Sequence, residues 1–170
     1  QRYWQRERFR GTEVRNKVLG VVGLGRVGSE VAALAKGLRM RVIAYDPMIS
    51  ADYAGRLGVG LVSLEELLKQ ADFVTVHVPL TPATTNLIGA RQLKLVKPTT
   101  MFVNCARGGI IDEAALYQAI EEGRVAGAAL DVFIKEPPGD SPLLHSSKVV
   151  VTPHLAASTS EAEANVGIDI

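Results

Sequence analysis

Residues 19–28 read Leu19-Gly20-Val21-Val22-Gly23-Leu24-Gly25-Arg26-Val27-Gly28, and the fold follows from how this stretch is read. Val18–Val22 is a short apolar run suited to a strand buried on both faces. Gly23, Gly25 and Gly28 then fill a G-x-G-x-x-G pattern, which alone is a weak signal because glycine is common and the pattern short. Its surroundings strengthen it. A strand comes immediately before, and a helix follows over Glu30–Lys36 with Val31, Leu34 and Ala35 on one face. Asp46 closes the next strand, 18 residues beyond Gly28.

Each part has a mechanical reason. Gly23 permits the tight turn, Gly25 lets backbone approach a pyrophosphate, and Gly28 lets helix pack closely on strand. The free amides at the helix start, those of Arg26 and Val27 among them, then face the phosphates. Asp46 can accept hydrogen bonds from both adenosine ribose hydroxyls, and its charge repels a 2′-phosphate, which favours NAD over NADP. A glycine turn that merely shapes the backbone is the competing reading, and the order strand, turn, helix, acid argues against it.

Working outward, the chain keeps alternating strand and helix. Arg41–Tyr45 reads as a second strand and Val59–Val62 as a short third. Ser63-Leu-Glu-Glu66 is a capping box that opens a helix running through Gln70. Phe73–His77 and Met101–Asn104 are two more strands, and Asp112 caps a helix that runs to Glu122 and ends at Gly123. Ala126–Val132 and Val149–Thr152 complete the strand set, with the Pro-rich stretch Glu136–Pro142 as a loop between them. Ser158-Thr-Ser-Glu161 predicts another capping box. Repeated strand–helix–strand units with strands apolar throughout predict an α/β fold. It is a Rossmann-type, doubly wound parallel sheet with helices on both faces. The NAD-binding domain is expected over residues 18–157, an arm over 1–17, and the start of a further helix over 158–170.

Three later segments share one feature: each sits just past the carboxyl end of an expected strand. They are Asn104-Cys-Ala-Arg107-Gly-Gly, Asp131-Val-Phe-Ile-Lys-Glu136-Pro-Pro and Thr152-Pro-His154-Leu-Ala-Ala-Ser-Thr. Ligands bind at that edge of an open α/β sheet. Arg107, Asp131, Glu136 and His154 are therefore delivered to where a nicotinamide would lie. This set fits alcohol oxidation by hydride transfer: His takes the hydroxyl proton, Glu holds and charges the imidazole, and Arg clamps a substrate carboxylate. Singly, each has a blander reading, as a surface ion-pair arginine, a solvated loop glutamate or an ordinary loop histidine. Their joint placement favours the site. His77 ends a strand at the same edge, where lining the cofactor site and a structural role compete. His145 reads as exposed loop, and Cys105 suits cofactor contact better than thiol chemistry. No His/Cys spacing suggests zinc, and there is no G-x-S-x-G elbow.

Composition narrows the classes. Of 170 residues 47% are hydrophobic and 22% charged, which excludes a disordered or fibrous chain. The single cysteine cannot form an internal disulfide, and no apolar run approaches the roughly 20 residues that span a bilayer. No membrane partner and a cytoplasmic location are therefore expected. The net charge of +1 is uneven, because ten Lys and Arg face three acids over residues 1–45. A basic arm can bind nucleic acid, but Glu7 and Glu13 interrupt this one and no RNA-reading aromatic motif accompanies it. Tyr3, Trp4 and Phe9 read instead as the apolar side of a docking helix. The chain begins with Gln rather than Met, so a piece of a longer protein is expected.

Five ordered motifs carry a resemblance: the run from Leu19 to Gly28, His77-Val-Pro-Leu-Thr-Pro, Asn104-Cys-Ala-Arg-Gly-Gly-Ile-Ile-Asp112, Ala129-Leu-Asp-Val-Phe133 with Glu136-Pro-Pro, and Thr152-Pro-His154. Together they resemble the D-isomer-specific 2-hydroxyacid dehydrogenases over nearly all of residues 12–165. The resemblance implies that Arg107 binds the substrate carboxylate, Glu136 partners the histidine and His154 is the general acid/base. It puts NAD contacts at Gly23, Gly25, Arg26, Val27, Gly28, Asp46, Val78, Cys105, Ala106, Arg107 and Asp131, with Asp131 at the nicotinamide amide. It adds the turn His154, Leu155, Ala156 and Ala157.

The family usually has Gly where this chain has Ala156, so crowding of the turn or of the nicotinamide is expected there. The family also implies a substrate domain outside this segment, with residues 1–17 and 158–170 as stubs of the crossing segments. A homodimer is implied as well, with Trp4 and Phe9 as contacts. The small-molecule substrate implied is a phosphorylated D-2-hydroxy acid, with hydroxypyruvate or glyoxylate reduction as the alternative. An NAD-sensing corepressor-like protein is the alternative from another class.

Overall fold

The computed structural model describes residues 11–162, and the apolar arm residues Tyr3, Trp4 and Phe9 lie outside that range. Seven strands form one sheet: β1 Val18–Val22, β2 Arg41–Tyr45, β3 Gly60–Leu61, β4 Phe73–Val76, β5 Met101–Asn104, β6 Gly127–Leu130 and β7 Val149–Val151. Every pairing is parallel, and the spatial order is β3-β2-β1-β4-β5-β6-β7. The order reverses between β1 and β4, which opens a crevice at their carboxyl ends.

Five helices join the strands: α1 Arg26–Gly37, α2 Ala51–Arg56, α3 Leu64–Gln70, α4 Ala90–Leu93 and α5 Glu113–Glu121. Alternation along the strands divides the core in two. Leu19 and Val21 of β1 and Val42 and Ala44 of β2 pack with Ala32 and Ala35 of α1 and Ala54 of α2. Val22 and Ile43 point the other way, into a larger cluster with Leu67 and Leu68 of α3, Leu93 of α4, Leu116 and Ile120 of α5, and Phe102. Helices therefore cover both faces over β1 and β2, which is why those strands are apolar on both. Toward the far edge, by contrast, Met101, Val150 and Val151 are exposed.

The expected boundaries of β1, β2, β5 and α3 hold to the residue. Ser63 Oγ accepts from the Glu66 amide, and the Glu66 side chain returns to the Ser63 amide. β3, β4, β6 and β7 are one to three residues shorter than expected, and three further expectations need correction. First, α1 begins at Arg26 rather than Glu30, and its inner face is Gly28, Ala32 and Ala35, whereas Leu34 is 70% exposed. The helix lies so close on β1 that only small residues fit beneath it. Second, the cap near the end of the described range is Thr159, whose Oγ1 accepts from the Ala162 amide, and Ser158 lies outside the helix. Third, α2 and α4 were not expected. α2 is one short segment capped by the Ser50 hydroxyl on Tyr53, and α4 is a single turn after Gly89.

Candidate active site

The turn after β1 is shaped by absent side chains. Gly23 sits at φ +96°, and a Cβ there would lie 2.7 Å from the carbonyl oxygen of His77. A Cβ on Gly28 would run into the backbone carbonyl of Gly23. Gly25, the residue preceding α1, has no atom within 4 Å of its missing Cβ, so the approach to the turn is open. No side chain caps α1 and no acid stands in its first turn, leaving the first amides of the helix for an incoming anion. Asp46 waits at the end of β2, its Oδ2 accepting from the Leu24 amide at 2.8 Å and its Oδ1 from the Met48 amide at 2.9 Å. Bare amides, an unobstructed glycine and a carboxylate beside them suit a dinucleotide.

Across the crevice lies a cleft of about 540 Å³ lined by Val27, His77, Val78, Cys105, Ala106 and Arg107, among others. The turn after β5 is braced from beneath by Asn104, which is 2% exposed. Its Oδ1 accepts from the Ala106 amide at 3.0 Å, and its Nδ2 donates to the Arg107 carbonyl at 2.9 Å. Arg107 is exposed, and its guanidinium donates to the Ala106 carbonyl at 2.6 Å. Burial, followed by the charge of Asp131, pushes the Cys105 thiol above its ordinary value, so it is a poor nucleophile. Burial also lowers His77, whose Nε2 hydrogen-bonds the Thr75 hydroxyl at 2.9 Å.

The turns after β6 and β7 form one unit. His154 Nδ1 meets Glu136 Oε2 at 2.7 Å, while Glu136 Oε1 accepts from the Phe133 amide at 3.0 Å. The hydrogen bonds from His154 and then Phe133 hold the Glu136 carboxyl below its ordinary value. An ionised carboxylate only accepts, so Nδ1 carries a proton, and in the neutral ring Nε2 is then the acceptor. His154 itself sits at φ +56°, a left-handed conformation uncommon for a side chain of its size.

Asp131 enforces that conformation. Its carboxylate, on a residue only 4% exposed, accepts from Thr152 Oγ1, from the Leu155 amide at 2.8 Å and from the Ala156 amide at 2.9 Å. Its carbonyl accepts from the His154 amide at 2.9 Å. Burial opposes its ionisation, but these hydrogen bonds outweigh it and hold the carboxyl below its ordinary value. Both oxygens of Asp131 thus accept from the histidine turn. The turn closes normally around Ala156, which is exposed and has no positive φ, so no crowding of the turn arises from its methyl.

Glu136 and His154 are therefore in contact, and together with Asp131 and Thr152 they line a cavity of about 480 Å³. Arg107 forms no hydrogen bond to either. The two groups are joined through backbone instead, since a Cβ on Gly108 would collide with the main chain at Phe133 and Ile134. The sequence did not single out Asn104 or Thr152 as bracing groups. A short polar side chain at a strand end, able to bond nearby backbone, was the available signal. No cluster of three or more His, Cys, Asp or Glu able to hold a metal occurs among the described residues.

Comparison with known proteins agrees with this geometry. The chain is 54% identical over 167 residues to a D-3-phosphoglycerate dehydrogenase of Synechocystis, covering 98% of this chain and 30% of the relative. The corresponding enzyme of Archaeoglobus fulgidus is 55% identical over 168 residues, covering 98% and 32%. The chain thus spans about a third of the length of these curated relatives. Among solved structures, a glyoxylate reductase from Paecilomyes thermophila superposes with a TM-score of 0.87 at 33% identity, covering 93% of this chain and 48% of that one. An NAD-complexed D-isomer specific 2-hydroxyacid dehydrogenase from Lactobacillus delbrueckii superposes with a TM-score of 0.85 at 33% identity, covering 98% and 54%. Residues 1–156 match the family described as "D-isomer specific 2-hydroxyacid dehydrogenase, NAD binding domain". The chain belongs to this family, as its NAD-binding domain.

Proposed function

We propose that this domain is the cofactor half of an enzyme that oxidises D-3-phosphoglycerate, and that the rest of such an enzyme supplies a substrate domain. The observation that carries the chemistry is the His154 Nδ1–Glu136 contact at 2.7 Å beside the crevice, with Nε2 left to accept. The substrate follows the relatives named above, which share about half of the residues.

His154 Nε2 takes the proton of the substrate hydroxyl, and Glu136 stabilises the imidazolium that forms. Arg107 offers a planar fork to the substrate carboxylate. The amides of Arg26 and Val27, with the space above Gly25, hold the diphosphate of NAD, and Asp46 holds its adenosine ribose. Bound NAD supplies the hydride acceptor. Val78, Cys105 and Ala106 wall the cleft, while Asp131 keeps the turn from His154 to Ala157 in register. We further propose a cytoplasmic homodimer. Among the described residues, no helix is long and apolar enough to cross a membrane.

The test is NADH formation by the full-length enzyme with a panel of D-2-hydroxy acids. A preference for 3-phosphoglycerate over unphosphorylated acids is expected. Faster reduction of hydroxypyruvate or glyoxylate would reassign the substrate. The 170-residue chain alone should bind NADH yet turn over slowly, because positioning of the substrate is worth roughly 7–11 kcal/mol of barrier.

A further inference from the structure

One carboxylate outside these assignments stands where solvation is costly. Glu113 opens α5, yet its side chain is half-buried instead of spread into water. Its Oε1 accepts from the Ile134 amide at 2.5 Å, across 21 residues of chain. The preceding amide, that of Phe133, goes to Glu136 Oε1. Two consecutive amides of one turn are thus taken by two carboxylates, one rising from the turn itself and one from a helix.

The helix is the fixed end of this arrangement. Asp112 caps it by accepting from the Ala115 amide at 3.0 Å, and the Asp112 amide donates to Ile88 at 3.0 Å. Ile111 and Ile88 form a bridge, and both are buried in the larger core cluster. The turn at Phe133–Glu136 lies outside regular structure, between β6 and a proline-rich loop. It is held to the core by the buried Phe133 side chain alone, at its near end. Burial above all, then the charges of Asp112 and Glu136, push the Glu113 carboxyl up, against the pull of the Ile134 amide. A carboxylate held against its own solvation and two like charges is doing something that a surface glutamate does not require.

We propose that Glu113 is a positioning residue for the His154–Glu136 pair, tethering through the Ile134 amide the turn from which Glu136 reaches the imidazole. The proposal rests on the reading of that pair as the proton-transfer apparatus. With the tether removed, Glu136 keeps its bond to Phe133 and Phe133 stays buried, but the Ile134 peptide and the segment leading to Glu136 lose their hold on α5. The planar peptide between Phe133 and Ile134 also faces Gly108, so the same loss loosens the seat of the Arg107 turn.

The experiment uses the full-length enzyme with five variants: Glu113→Ala, Glu113→Gln, Glu113→Asp, Glu136→Gln and His154→Ala. Glu113→Ala should lower kcat about 10- to 100-fold, as expected for a small misplacement of reacting groups, with KM for NAD unchanged. Its pH–kcat profile should move in the same direction as that of Glu136→Gln. Glu113→Gln keeps an acceptor for the Ile134 amide and should restore kcat to within about threefold of wild type. Glu113→Asp, one methylene short, should behave like the alanine variant, which keeps the test open if Glu113→Ala does not fold. Wild-type kcat and pH profile in both the alanine and aspartate variants overturn the inference. So does a loss of NADH binding as large as the loss of kcat. A fully active His154→Ala overturns instead the reading on which it rests.

Discussion

At Gly23 the chain reaches φ +96° because no side chain stands in the way, while at His154 it reaches +56° with an imidazole attached. The first turn removes atoms and the second adds bonds. A left-handed non-glycine residue costs roughly 1–3 kcal/mol, whereas a hydrogen bond to a charged group contributes about 1.5–3 kcal/mol. The three side-chain bonds to the Asp131 carboxylate therefore outweigh the strain at His154. A turn that binds a ligand through its amides needs nothing beyond Cα. A turn that presents a reacting ring cannot be glycine, so its conformation must be imposed from outside. One turn is fixed sterically, the other by a titratable group.

The comparison breaks most sharply at Gly28. Gly28→Ala puts a methyl into the Gly23 carbonyl, where both partners are backbone and neither can rotate away. A loss of about 3 kcal/mol or more is expected, together with at least a tenfold loss of NADH affinity. Calorimetry and thermal melting measure both. Unchanged affinity would show that the turn relaxes and is not sterically fixed.

Asp131→Asn tests the other turn. It removes the charge and sets an amide donor against backbone donors, for an expected loss of about 2 kcal/mol. Here pH gives a second handle. The folded Asp131 carboxyl titrates below its ordinary value of 3.8, so its contribution is complete above that value and lost as pH falls through the folded pKa. Glu136, lowered from 4.5, adds a loss of the same sign. Urea unfolding at pH 6 and pH 3 should show wild type losing more stability than Asp131→Asn between the two. Equal losses would mean that the carboxylate does not pin the turn.

The smallest effect is expected at Ala156. Its backbone is in no glycine-only region and its side chain is exposed, so Ala156→Gly should change stability by about 0.5 kcal/mol through chain entropy. NADH affinity should stay within about twofold. A gain of tenfold would show that the methyl crowds the nicotinamide.

What the sequence made legible follows the same division. The Gly-rich turn was readable because its three glycines stand at fixed spacing between a strand and a helix, with Gly28 answering a steric demand only five residues away. The capping box at Ser63 and the cap at Asp112 were readable for the same reason, being contacts three residues apart. Leu34 was misread because apolarity pointed to burial, while close packing of α1 on β1 selected by size. The helix start at Arg26 was missed because Gly28, a poor helix former, lies inside it. α2 and α4 are too short to show a period. His154, Glu136 and Arg107 could be nominated by position after strands. That Asp131 clamps the histidine turn and Glu113 reaches Ile134 depends on contacts 24 and 21 residues apart, which no local pattern encodes.

The close approach at Gly108 has a bearing on how displacements travel. The stem of the Arg107 turn and the peptide at Phe133 and Ile134 touch main chain to main chain, leaving no compressible side chain between them. Close-packed main chain transmits displacement, so a shift of one root is passed directly to the other. The Gly-rich turn makes its own close approach elsewhere, with Gly23 against the backbone of His77 at the end of β4. Each wall of the crevice thus stands on a main-chain contact that one added methyl would break.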